Sequence, residues 1–134
     1  KKKNVVIPEA SEVIKLIIGT EIELPCMLAM WLSLRVSEVR GLQFRDIDIK
    51  NRTIRIRRTI VMTDDGMKVR DGSKTENSMR ELEIPDYIFG LIQQIPHEHD
   101  TVFLFPLTRK ALYSRFKKLV MQNGIDMSFH DLSV

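Results

Sequence analysis

Thr53-Ile54-Arg55-Ile56-Arg57-Arg58-Thr59-Ile60-Val61-Met62 is the stretch on which the fold turns. Ile54, Ile56, Ile60 and Met62 share one parity; Thr53, Arg55, Arg57 and Thr59 share the other. That alternation predicts a strand with one core face and one basic face. Arg58 falls on the apolar parity and breaks it, which predicts a bulge or the strand's exposed end. Asp64-Asp65-Gly66 is a turn signal, and Met67 to Arg70 reads as a returning strand. Asp71-Gly72-Ser73 interrupts it, and Arg80-Glu81-Leu82-Glu83-Ile84 alternates again before Pro85. The expectation is one small three-stranded antiparallel sheet, with Lys74 in or beside its second connection.

On either side the period is helical. Pro8 to Ile18 reads as a helix: Pro8 suits the first position, Glu9 and Glu12 suit the positive end, and Gly19 can stop it. Leu24 to Ser33 is apolar nearly all round, which predicts the central buried helix. A short helix follows from Val36 to about Leu42, with Arg35 at the junction. Tyr87 to Ile95 is helical up to Pro96, and Val102 to Phe105 is a short apolar segment. Leu107 to Met121 is an amphipathic helix whose core stripe is Leu112, Phe116, Leu119 and Val120, closed by Gly124. The predicted fold class is α+β, mainly helical: a helical body with an inserted small sheet.

Composition narrows the possible functions. The 134 residues suit one domain with a real core. Cys26 is the only cysteine, so no intrachain disulfide and no cysteine metal cluster can form. Its apolar surroundings predict a buried structural thiol. The longest apolar run, Leu24 to Leu34, is too short to span a bilayer. Lys1-Lys2-Lys3 is followed by only Val5-Val6-Ile7 before Pro8, which is not a signal-peptide pattern. A cytoplasmic protein with no membrane partner is the expectation.

The net charge of +3 is unevenly spread. Lys50 to Arg80 holds nine basic residues against four acidic ones, and Arg109 to Lys118 holds five basic residues and no acid. Concentrated positive surface suits a polyanion, of which nucleic acid is the commonest. A solvated charged face is the plainer alternative. His97-Glu98-His99-Asp100 has no further ligand at a recognisable spacing, so a polar loop is expected and no metal.

Three basic residues stand in distinctive settings: Arg35 in Leu34-Arg35-Val36-Ser37-Glu38-Val39, Lys74 in Ser73-Lys74-Thr75, and His130 in His130-Asp131-Leu132. With Leu42, Asp46-Ile47-Asp48, Ser78, Arg80, Ile84-Pro85 and Phe103-Leu104-Phe105 between them, the order resembles the catalytic domain of the tyrosine recombinases, or phage integrase family. The resemblance covers nearly the whole chain. It implies DNA cleavage and rejoining through a phosphotyrosine link, without metal, nucleotide or other cofactor. Arg35 then corresponds to the first phosphate-holding arginine, whose fork grips two oxygens at once. Glu38 corresponds to the acid that orients its neighbours, Lys74 to the lysine that protonates the leaving 5′ oxygen, and His130 to the histidine on the phosphate. The helix from Leu107 to Met121 resembles the element lying against the major groove. Arg109, Lys110, Arg115 and Lys117 on it, with Arg80 and the sheet residues Arg55 and Arg57, are the expected contacts to double-stranded DNA.

Two positions depart from the family pattern. Ser133 stands where a second arginine is expected, and Ser33 where glycine is usual. The family's tyrosine nucleophile follows its histidine, whereas Tyr87 and Tyr113 precede His130. Residues 1–134 are therefore expected to be a partial catalytic domain, inactive alone, of an enzyme that self-associates on DNA. Two other readings stay open: a DNA-binding remnant or regulatory module on the same scaffold, and a type IB topoisomerase-like enzyme.

Overall fold

The computed structural model describes residues 9–63, 66–71 and 80–133. Five α-helices lie among them: α1 (Ala10–Ile17), α2 (Glu23–Leu32), α3 (Val36–Arg40), α4 (Asp86–Gln93) and α5 (Arg109–Met121). There are also two 3₁₀ turns, Phe44–Asp46 and Phe129–Ser133. Five strands are present: β1 (Ile47–Asp48), β2 (Thr53–Ile56), β3 (Arg58–Thr63), β4 (Gly66–Asp71) and β5 (Arg80–Glu83).

Apolar spacing explains the helical body. Val13 and Ile17 of α1 and Leu112, Phe116 and Val120 of α5 are almost wholly buried, one stripe on each helix. The central helix is α2, which packs against α1, α3, α4 and the final 3₁₀ turn. Its residues Glu23 to Ala29 are all buried. Cys26 is among them, and burial pushes its thiol well above the usual range, as expected of a structural cysteine. Thr108 caps α5, its hydroxyl accepting from the Ala111 N–H at 3.0 Å, so that helix begins two residues later than the apolar pattern suggests.

The small sheet departs from expectation in its make-up. The long strand is two strands broken at Arg57, which belong to different sheets. β2 lies between β1 and β5, antiparallel to both, with Ile54 opposite Ile47 on one side and Leu82 on the other. β3 and β4 form a separate antiparallel hairpin in the register Thr59–Arg70, Val61–Lys68. The three-stranded antiparallel sheet exists, but its third strand is β1, two residues that carry too little pattern to read. Arg58 is not an exposed strand end. It keeps the inner parity of Ile54 and Ile56 and is buried with them. Its Nη1 donates to Asp46 Oδ2 (2.7 Å) and to the Gly41 carbonyl (3.0 Å), and its Nη2 to Asp46 Oδ1 (3.0 Å). A charge on the core side of a strand survives because a paired carboxylate waits there.

Candidate nucleic-acid interface

The turn between α2 and α3 sets the position of Arg35. Ser33 adopts φ 54°, ψ 36°, in the left-handed region, which is where a helix stop favours glycine. Arg35 is extended at the N-terminus of α3, and its side chain is exposed. One turn on, Glu38 Oε1 accepts from the Arg35 backbone N–H at 2.9 Å. Its other oxygen, Oε2, accepts from Nη2 of Arg80 at 2.9 Å. Arg80 opens β5 opposite Ile56. It therefore shares the inner face of the sheet with Leu82, and parity sends its side chain toward α3 rather than to the outer face. One carboxylate thus joins two motif segments that are 42 residues apart in sequence.

His130 sits in the last 3₁₀ turn, exposed, between the buried Phe129 and Leu132. That turn packs on α2 and α5. Asp131 fixes its start by accepting from the Ser128 N–H at 2.8 Å. The Ser133 hydroxyl donates back to the His130 carbonyl at 3.2 Å. Lys74 lies outside the described residues.

Of the basic residues expected on DNA, Arg109 and Lys110 have no carboxylate partner among the described residues; Arg109 lies over the Tyr113 ring at 5.1 Å. Arg115 pairs with Glu21 at 2.8 Å and Lys117 with Asp126 at 2.6 Å. Arg55 lies 3.7 Å from Glu81, and Arg57 lies 3.6 Å from Asp46. The sequence reading passed over Arg40. It is buried on α3, and its Nε donates to the Leu107 carbonyl at 3.4 Å, just before α5. Burial and then the nearby Arg109 hold its pKa below the ordinary arginine value. The signal was there: Val36, Val39 and Arg40 fall on one helical stripe.

Both tyrosines are engaged. The Tyr87 hydroxyl, at the start of α4, donates to Glu23 Oε2 at 2.5 Å, and that bond, followed by desolvation, raises its pKa. The Tyr113 ring packs against Phe129 with centroids 5.8 Å apart. His97 stacks on Phe44 at 3.7 Å and points Nε2 at Asp100. No helix among the described residues is long and apolar enough to cross a membrane.

The chain is similar to known proteins along most of its length. The Phage integrase family profile matches residues 10–133. A putative prophage phiRv2 integrase of Mycobacterium tuberculosis is 31% identical over 79% of this chain, and the match spans 32% of that protein's length. Among solved structures, a Tn1549 transposon integrase in complex with circular intermediate DNA superposes with TM-score 0.72 at 18% identity, covering 99% of this chain and 51% of that one. An integrase from mycobacterium phage Brujita gives TM-score 0.66 at 17% identity, over 99% of this chain and 43% of that one. XerA recombinase gives TM-score 0.63 at 13% identity, over 99% and 49%. The chain spans about a third of the length of the relatives it matches in sequence. With the helices, the sheet and the Arg35–Glu38 turn in this arrangement, and the family profile running through nearly all of it, the chain belongs to the phage integrase family of tyrosine recombinases.

Proposed function

We propose that this chain supplies part of the catalytic domain of a site-specific DNA recombinase. The whole enzyme cleaves and rejoins double-stranded DNA through a phosphotyrosine intermediate, self-associates on its DNA, and works in the bacterial cytoplasm without a metal or other cofactor. In this reading Arg35 holds non-bridging oxygens of the scissile phosphate and Glu38 orients the groups around it. Lys74 protonates the leaving 5′ oxygen, and His130 hydrogen-bonds the phosphate or moves a proton. Arg55, Arg57, Arg80, Arg109, Lys110, Arg115 and Lys117 contact the duplex, mostly at phosphates.

The observation that carries this reading is Glu38, whose two oxygens draw together the Arg35 turn and the start of β5. A phosphodiester transition state needs cationic donors fixed in advance, because preorganised groups need no reorganisation as charge develops. A carboxylate that fixes an exposed arginine's backbone while gripping a second guanidinium is such a fixing element.

The test is duplex binding by fluorescence anisotropy across a salt series. The chain should bind DNA of any sequence with Kd of ~10⁻⁴ to 10⁻⁶ M at physiological salt, and more tightly as salt falls. Arg109→Glu with Lys110→Glu breaks no ion pair among the described residues and loses, besides charge, the Arg109 contact with the Tyr113 ring, so it reads mainly charge. It should weaken binding on every sequence alike. No binding at low salt would sink the reading in favour of a merely solvated basic face.

A further inference from the structure

We propose that Arg80 and Arg35 hold a single DNA phosphate between them, with Glu38 as the positioning residue for both. The inference rests on the recombinase reading above and adds Arg80 to its phosphate site. Each oxygen of one carboxylate lies 2.9 Å from its donor. The Arg80 guanidinium is therefore within side-chain reach of one rooted at Arg35. Both Glu38 oxygens are occupied, one by the Arg35 backbone N–H and one by Arg80 Nη2, so one negative charge is set against two arginine charges and a net positive charge remains. Arginine carries five N–H donors, and the Arg35 guanidinium has no carboxylate partner among the described residues. The unspent donors and the unspent charge both call for a second anion.

Exposure separates this pair from four of the other arginine and lysine pairs; Arg57–Asp46 shares its order, 48% against 0%, but Asp46 is already gripped by the buried Arg58. The Glu38 side chain is 15% exposed and that of Arg80 is 45%. The acid lies beneath and the cation faces solvent. In Arg52–Asp86, Arg55–Glu81, Arg115–Glu21 and Lys117–Asp126 the order is reversed, as in 44% for Arg115 against 62% for Glu21. A phosphate approaching those pairs meets a carboxylate first. One approaching Arg80 meets a guanidinium already oriented from below, which lowers the conformational cost of gripping it. Ser133 carries no charge, and its hydroxyl is turned onto the His130 carbonyl. Arg80 is then the second guanidinium of the phosphate site.

The experiment compares the 134-residue chain with Arg35→Ala, Arg80→Ala, the double variant, and Arg52→Ala as a charge-matched control. Binding to a short duplex of arbitrary sequence is read by anisotropy over a salt series. Arg35→Ala and Arg80→Ala should each weaken binding roughly tenfold and lower the slope of log K against log salt by about one. The double variant should lose less than the product of the two, because one phosphate is shared. Arg52→Ala should stay within a few-fold of the parent. Arg80→Ala behaving like Arg52→Ala, with Arg35→Ala still weakened, overturns the clamp and leaves the recombinase reading standing. Losses that multiply overturn the sharing. A parent chain that binds no DNA at low salt removes the recombinase reading and the clamp with it. If Arg80→Ala fails to fold by circular dichroism, Arg80→Lys decides: it keeps the charge and loses the fork, so the slope should hold while affinity falls severalfold. Arg80→Lys equal to the parent in both overturns the proposal.

Discussion

Arg58 and Asp46 form a bidentate ion pair inside the protein, with side chains 2% and 0% exposed. Asp46 Oδ2 also accepts from the Gln43 N–H at 2.8 Å, and Arg58 reaches the Gly41 carbonyl. The pair therefore ties the first 3₁₀ turn, the end of α3 and the start of β3 to one point. Breaking a buried pair leaves an uncompensated charge, and the cost is typically 3–5 kcal/mol. Asp46→Ala should destabilise the domain by about 4 kcal/mol, a large part of the ~5–15 kcal/mol a domain has. Arg58→Met removes the charge along with the fork and should cost less, since it strands an acid that Arg57 already approaches at 3.6 Å. Urea denaturation of both variants checks the order; an Arg58→Met variant less stable than Asp46→Ala would contradict it.

Gly41 is required by the same knot. A Cβ placed there would lie 2.4 Å from the Arg58 carbonyl oxygen and 3.0 Å from its carbonyl carbon. Those atoms are backbone and cannot rotate away. Gly41→Ala should therefore push β3 from α3 and cost about 3 kcal/mol, the upper end for overpacking. The predicted sign is opposite to the gain that Gly→Ala gives at unhindered sites. A denaturation midpoint equal to or above the parent's would show that β3 can shift without loss.

These two sites show where the sequence was legible. The stripes of α1 and α5 have a period that reads directly, as do the all-round apolar run of α2 and the alternation of Ile54 and Ile56. The break at Arg57 does not read, because nothing local distinguishes one ten-residue strand from two that part into different sheets. Arg58 was visible as an anomaly on the apolar parity, but its cause, Asp46, is twelve residues away and meets it only in the folded chain. Glu38 and Arg80 were each picked out, yet their contact depends on β5 pairing with β2 in one register. A one-residue slip would turn Arg80 to the other face. Lys74 lies outside the described residues, so its role rests on the motif alone.

Ser33 offers a gain in stability. Its φ of 54° costs a side-chain-bearing residue roughly 1 kcal/mol relative to glycine. Ser33→Gly should raise stability by less than that, about 0.3 kcal/mol once the extra unfolded-state entropy of glycine is subtracted, shifting Tm upward by roughly 1 °C. Differential scanning calorimetry gives the answer, and a lowered Tm would mean the serine is held by something beyond its backbone angle.

Tyr87 gives a dependence on alkaline pH. Its hydrogen bond to Glu23, with burial second, raises its pKa above the ordinary 10.0. The folded state therefore keeps the phenol proton more tightly than the unfolded chain does. The contribution is whole below pH 10, where both states are protonated, and is lost as pH rises from there through the folded-state value. Tyr87→Phe should lower stability at neutral pH and remove this part of the alkaline decline. Parallel urea titrations from neutral to above pH 10 measure it. Identical alkaline slopes in parent and variant would rule the linkage out.

Both tyrosines within residues 1–134 are held by other contacts. The Tyr87 hydroxyl is committed to a carboxylate on α2, and Tyr113 is held between the Arg109 guanidinium and the Phe129 ring. A raised phenol pKa also opposes attack, because the ionised oxygen is the reactive form. We therefore expect this polypeptide to form no covalent adduct when incubated with a nicked duplex carrying its recombination site. Arginine at position 133 would restore one donor, and such donors are typically worth ~10²–10³ in rate, but it supplies no attacking group, so Ser133→Arg alone should stay silent. Denaturing gel electrophoresis of labelled DNA reads the outcome. A DNA-linked band from the 134-residue chain that disappears in Tyr87→Phe or Tyr113→Phe would place the nucleophile on α4 or α5 and would require the surroundings of that tyrosine to open on DNA.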